Sequence, residues 1–202
     1  VKAWTILLRA LAALIVVGYP VIVWFGISSG SPRQIAIVLL AVMTPAMLLR
    51  ARGRAAAADI RGLAIVPATV LSVLCVAAWM DGAAYILATP VAANAVLLAS
   101  FGATLRRGST PMIERFARLQ EPSLSGAKQA WCRQWTKAWC VFFVANGATA
   151  AVTAIYADLW WWTLYNGLIA YALIGGICSL EWLLRRARFP DLRAQKAPDE
   201  AA

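Results

Sequence analysis

The chain has 202 residues, 62% of them hydrophobic and only 14% charged, with 19 Lys and Arg against 9 Asp and Glu and no His. A soluble domain carries about a quarter charged residues, so this composition excludes a water-solvated globule and asks for lipid around it. The net charge of +10 does not indicate nucleic acid, because the basic residues cluster between apolar runs instead of along one soluble face; the missing His removes the commonest general base and metal ligand.

Six apolar runs succeed one another, at 4–27, 32–49, 63–80, 83–105, 139–157 and 159–184. Each is near the ~20 residues that a helix needs to cross a bilayer. The first exceeds the roughly 7–15-residue core of a signal peptide and no A-x-A-like cleavage site follows, so it reads as a retained helix. Pro45 interrupts the second, a break that neighbouring helices can tolerate inside a bundle. Three connections, at 28–31, 81–82 and around Asp158, are short and nearly free of positive charge. The others hold Arg50, Arg52, Arg54 and Arg61; Arg106, Arg107, Arg115, Arg118, Lys128, Arg133 and Lys137; and Arg185, Arg186, Arg188, Arg193 and Lys196. With Lys2 and Arg9, 18 of the 19 basic residues lie on one side and Arg33 alone on the other. The positive-inside rule makes the basic side cytoplasmic.

Tryptophan placement agrees. Trp24, Trp79, Trp160, Trp161 and Trp162 fall at the outer ends of the runs, and Trp4, Trp131, Trp135, Trp139 and Trp182 at the inner ends. An indole at that level buries its ring and keeps its N–H wet. The expected fold is all-α: a polytopic membrane bundle of six transmembrane helices, arranged as three hairpins in one domain (1–189), with both termini cytoplasmic. The polar tail 190–202, with Pro190 and Pro198, reads as disordered.

The longest connection, 106–137, carries the most information. Its stretch 111–119 reads as a short amphipathic helix at the cytoplasmic interface, capped by Thr110 or Ser109 with Pro111 in the first turn. Met112, Ile113, Phe116 and Leu119 share one face, and Glu114, Arg115 and Arg118 point elsewhere. Two readings stand. Arg115 and Arg118 grip a phosphate or carboxylate while Glu114 orients one of them, or the helix lies in the headgroup region with its charges in water and lipid phosphate. Farther on, Trp131, Trp135 and Trp139 recur on one helical face and read as an interfacial anchor running into the fifth span.

Inside the spans, Asn94 and Asn146 fall at similar depths, about 16–18 Å from the outer boundary, and Asn166 is shallower at about 9 Å. Interhelical hydrogen bonding accounts for all three more readily than substrate contact does. Glu181 is the one carboxylate inside the apolar runs. At about 31 Å from the outer start of its helix it reaches the cytoplasmic edge, where Arg133, Lys137 or Arg185 can pair with it. The four cysteines, Cys75, Cys132, Cys140 and Cys178, form no C-x-x-C pair and read as reduced thiols. No P-loop, G-x-S-x-G or H-E-x-x-H pattern occurs. No closely spaced carboxylate set for divalent metals occurs either. Neither catalytic residue, metal nor cofactor is expected.

From Tyr85 to Arg188 the chain resembles a family of small bacterial inner-membrane proteins similar to those encoded in aryl polyene (xanthomonadin-type) pigment clusters of Gram-negative bacteria. The resemblance is carried by Met-Ile-Glu-Arg at 112–115 followed by Gln-Glu-Pro at 120–122, by Phe-Phe-Val-Ala-Asn-Gly at 142–147, by Tyr-Asn-Gly-Leu at 165–168, and by Glu181 with Trp182. It implies an accessory protein that helps synthesise, anchor or handle an aryl polyene or related acyl lipid through its basic cytoplasmic face. Glu114, Arg115 and Arg118 would then serve a headgroup or an acyl chain end, with Asn94, Asn146, Asn166 and Glu181 as further candidate contacts. The expected partners are the bilayer, its anionic headgroups, and soluble acyl-lipid enzymes or an acyl carrier. A small lipid or metabolite transporter and a membrane acyl or glycosyl transferase are the competing classes; the missing acid–base constellation weighs against the transferase.

Overall fold

The computed structural model describes residues 18–28, 30–53 and 65–189, with backbone alone at 42 and 45–53. The expectations for the first half of span 4–27, for Lys2, Arg9, Arg54 and Arg61, and for the tail 190–202 lie outside the described residues. Among those described, every regular element is helical: α1 (Gly18–Ser28), α2 (Pro32–Gly53), α3 (Ile65–Met80), α4 (Ala83–Leu87), α5 (Thr89–Ala103), α6 (Met112–Arg118), α7 (Gly126–Tyr156), α8 (Leu159–Leu164) and α9 (Ala170–Arg188). A five-residue π-helical turn, Tyr165–Ile169, joins α8 to α9.

Among the described residues, three helical rods are long and apolar enough to cross a membrane: Ala83–Ala103, Gly126–Tyr156 and Leu159–Arg188. They coincide with the last three apolar runs of the sequence. Of the earlier runs, the described residues hold the apolar stretches Gly18–Ser28 and Pro32–Ala41, the latter the start of α2, and the helix Ile65–Met80. At 31 residues, α7 is about 46 Å long and exceeds a hydrocarbon core of about 30 Å. Its first turns, with Lys128, Arg133 and Lys137, form the excess.

α5 packs along α7, α2 along α3, and α3 against α5, while α6 leans on α7. Two apolar cores result. One joins Tyr19, Val23, Ile35, Leu39, Leu74, Ile86 and Trp162. The other, at the opposite end of α5, joins Phe101, Met112 and Phe143, with the two phenyl rings edge to face at 5.1 Å.

The first core is organised around Pro90. Proline lacks an N–H and so leaves the carbonyl four residues earlier without its helical donor. Here the 83–103 rod breaks at Ala88 between α4 and α5. The Tyr19 hydroxyl donates to the orphaned Ile86 carbonyl at 2.7 Å, and Trp162 Nε1 donates to the next carbonyl, Leu87, at 3.2 Å. The two rings meet edge to face at 6.3 Å. Trp162 is therefore fully buried, which corrects its assignment to the interface: its N–H has a backbone partner and needs no water. Trp79, Trp160 and Trp161 are exposed.

Arg33, the one cation on the sparsely charged side, also has a structural task. Its Nε donates to the Ala78 carbonyl at 2.9 Å and its Nη2 to that of Trp79 at 3.3 Å, and its backbone N–H donates to Asp81 Oδ1 at 2.8 Å. A guanidinium thus satisfies the last carbonyls of α3, which a helix leaves unpaired.

Tyr19→Phe removes the donor for Ile86 and is expected to cost about 1–3 kcal/mol of stability, read by thermal unfolding in detergent. Adding Pro90→Ala, which restores a backbone N–H to that carbonyl, should recover most of the loss. Equal loss with and without Pro90→Ala would refute the pairing.

Candidate functional site

Beyond α5 the chain turns through Gly108, whose φ of +80° suits glycine alone at low cost, and enters α6. The expected Thr110 or Ser109 cap is absent: Pro111 occupies the N-cap position and offers no side-chain bond. Threonines at the C-cap of α5 and within α7 replace it. Thr104 Oγ1 accepts the Met112 N–H at 3.0 Å, and Thr136 Oγ1 accepts the Ile113 N–H at 3.2 Å. Thr104 in turn donates to the Phe101 carbonyl and Thr136 to that of Cys132. The first turn of α6 thereby hangs between the end of α5 and the first turns of α7, and Met112 drops into the Phe101–Phe143 core.

This docking also corrects the predicted faces of α6. Glu114, expected among the outward charges, is 6% exposed, whereas Leu119, expected on the apolar face, is 56% exposed. A helix of seven residues wedged between two others has its faces set by those neighbours more than by its own weak periodicity.

Glu114 is held by Arg118. Both Nε (2.9 Å) and Nη2 (2.7 Å) of the guanidinium donate to Glu114 Oε1, and Nη1 donates to the Pro122 carbonyl at 3.1 Å. Arg115 donates through Nε to the Thr110 carbonyl at 3.0 Å. Lys128 closes the loop between α6 and α7 by donating to both oxygens of Glu121 at 2.8 Å. These contacts frame an open cleft of about 430 Å³, lined by Gly108 to Pro111, Glu114 and Arg118 on one wall and by Gly126, Gln129, Ala130 and Arg133 on the other.

In the sequence Arg133 reads as one of the basic residues of the 106–137 connection and as a partner for Glu181. It donates instead through Nη2 to the Leu105 carbonyl at 2.6 Å and faces the cleft. The spacing of Gly126, Gln129, Ala130 and Arg133 marks one helical face. That face becomes legible once α7 is known to begin at Gly126, thirteen residues before the apolar run read as its start.

The remaining candidates lie elsewhere. Glu181 accepts from Trp131 Nε1 at 3.2 Å and pairs with Arg185 at 3.4 Å, tying the end of α9 to the start of α7. Asn146 donates to Asn94 Oδ1 at 3.1 Å, and the Tyr165 hydroxyl donates to Asn146 Oδ1 at 2.9 Å. The α5 and α7 backbones approach so closely there that a Cβ on Gly147 would sit 3.0 Å from that of Asn94. Asn166 turns to its own helix and donates to the Trp162 carbonyl at 2.9 Å, inside the turn where the helix widens. The three asparagines and Glu181 thus do not converge with Glu114, Arg115 and Arg118 on one site. All four cysteines are free thiols. Among the described residues no group of His, Cys, Asp or Glu is placed to hold a metal.

No family model, curated protein or solved structure matches the chain.

Arg118→Ala is expected to destabilise the fold by about 1–2 kcal/mol, less than the 3–5 kcal/mol of a fully enclosed pair because its side chain is partly in water. Combining it with Glu114→Gln, which removes the stranded charge, should cost less than the sum of the two single changes in chemical unfolding. Strict additivity would show that the pair is not coupled.

Proposed function

We propose that the chain is a multi-pass protein of the bacterial cytoplasmic membrane, with six helices in three hairpins and both termini inside, that assists the handling of an acyl lipid at the cytoplasmic interface. Hydropathy along six runs and the one-sided placement of the basic residues support the topology. The resemblance over Tyr85 to Arg188 makes an aryl polyene lipid the preferred cargo. The single observation that carries a lipid-handling role is the cleft between α6 and α7. It is polar, contains a buried carboxylate and two guanidinium groups, and lies at the end of helices apolar enough to span a bilayer.

The hydrogen bonding inside the helices favours an accessory role over ion-driven transport. Asn94, Asn146 and Asn166 each bond to protein partners, and ion pathways use ionisable groups at depth. The nearest candidate, Glu181, is engaged by Trp131 and Arg185 at the basic end of its helix.

The test is an in-frame deletion in the native host followed by mass analysis of pigment and membrane lipids. Loss of an aryl polyene lipid, with its unattached precursor accumulating, is the expected result. An unchanged lipid and pigment profile would overturn the proposed role.

A further inference from the structure

The charges in the cleft do not balance. Glu114 and Arg118 neutralise one another at 2.7 Å, and Arg118 gives its third nitrogen to the Pro122 carbonyl. Arg133 donates from Nη2 to the Leu105 carbonyl, and among the described residues its positive charge meets no carboxylate within ion-pair distance. Ser109, Thr110 and Gln129 line the same cleft; the two hydroxyls and the second N–H of the Gln129 amide, whose nitrogen also donates to the Leu124 carbonyl at 2.8 Å, are groups able to bond phosphate oxygens. One uncompensated guanidinium among neutral donors suits a ligand with one negative charge, and a phosphodiester carries one.

One turn on, the same face of α7 carries the exposed Lys137, and above it the face turns apolar. Cys140, Val141 and Val144 lie seven, eight and eleven residues beyond Arg133, within about a quarter turn of its direction. Val141 is 70% and Val144 55% exposed. A polar cleft with an uncovered apolar strip above it is the pattern that an amphiphile requires.

We infer that this cleft is a phospholipid site. The phosphodiester of a singly charged headgroup sits against Arg133, and an acyl chain follows Val141 and Val144 along α7. The inference deepens the lipid-handling reading by naming the ligand class and the residue that holds it. Arg118, in contrast, is a positioning residue that shapes the wall through Glu114. Because the site is read from binding by purified protein, its failure and the failure of the pigment role are separately visible.

The experiment titrates the full chain, in an uncharged detergent, with short-chain phosphatidylglycerol by calorimetry. Water-soluble glycerophosphoglycerol and short-chain diacylglycerol serve as the headgroup-only and chain-only arms. The lipid should bind at least about tenfold more tightly than either arm, since both halves of the site contribute. Arg133→Gln should weaken it about tenfold or more by removing a charge-assisted contact. Ala130→Trp, which fills the cleft without touching its charge, should weaken it similarly. Arg186→Gln, on exposed α9, should leave it unchanged. Equal affinity for the headgroup alone would replace the lipid by a free phosphate ester and overturn the inference. So would lipid affinity unaffected by both Arg133→Gln and Ala130→Trp, or lowered equally by Arg186→Gln.

Discussion

Pro90 removes one N–H from a helix at a point where Ile86, Tyr19 and Trp162 are buried. The Ile86 carbonyl that this leaves open, and the Leu87 carbonyl beside it, are taken by Tyr19 and Trp162 from two other helices. In an apolar environment an unpaired backbone group costs several kcal/mol. The break can therefore exist only if α1 and α8 stand where those two donors reach it. The helix interruption and the packing around it are one arrangement, and the larger apolar core collects at that point.

The same constraint operates at the other end of α5 and leads towards function. A helix begins with N–H groups that have no partner of their own. In α6 two of them are met by Thr104 and Thr136, so the short helix is pinned across α5 and α7. Pinning it there buries Glu114, which draws Arg118 inward, and leaves a cleft facing the first turns of α7. Asn94, Asn146 and Tyr165 hold the helices together farther along by the same logic of pairing polar groups away from water.

What could be read in advance divides along physical lines. Helical class and the three long apolar rods followed from run length and composition, which depend on the local chain alone. The meeting of Asn94 with Asn146 was approachable because equal depth on two antiparallel helices is simple geometry. The partner of Glu181 lay one helical turn away, at Arg185. The cap of α6 was not legible, since Thr104 and Thr136 lie 8 and 23 residues from the N–H groups they satisfy. Nor was the inward turn of Trp162, because indoles in water–lipid interfaces and in cores look alike in one dimension. Arg133 was obscured for a simpler reason: hydropathy places the start of a span, but α7 begins far earlier, where its residues are polar.

The proposed role requires the cleft to face the cytoplasm. Vectorial thiol labelling measures this directly, in a chain with Cys75, Cys132, Cys140 and Cys178 replaced and one new cysteine, either Arg107→Cys at the rim of the cleft or Tyr156→Cys at the far end of α7. A membrane-impermeant maleimide should label Arg107→Cys in inside-out vesicles only and Tyr156→Cys in right-side-out vesicles only. Labelling of both from the same side, or in the reverse order, would contradict the account.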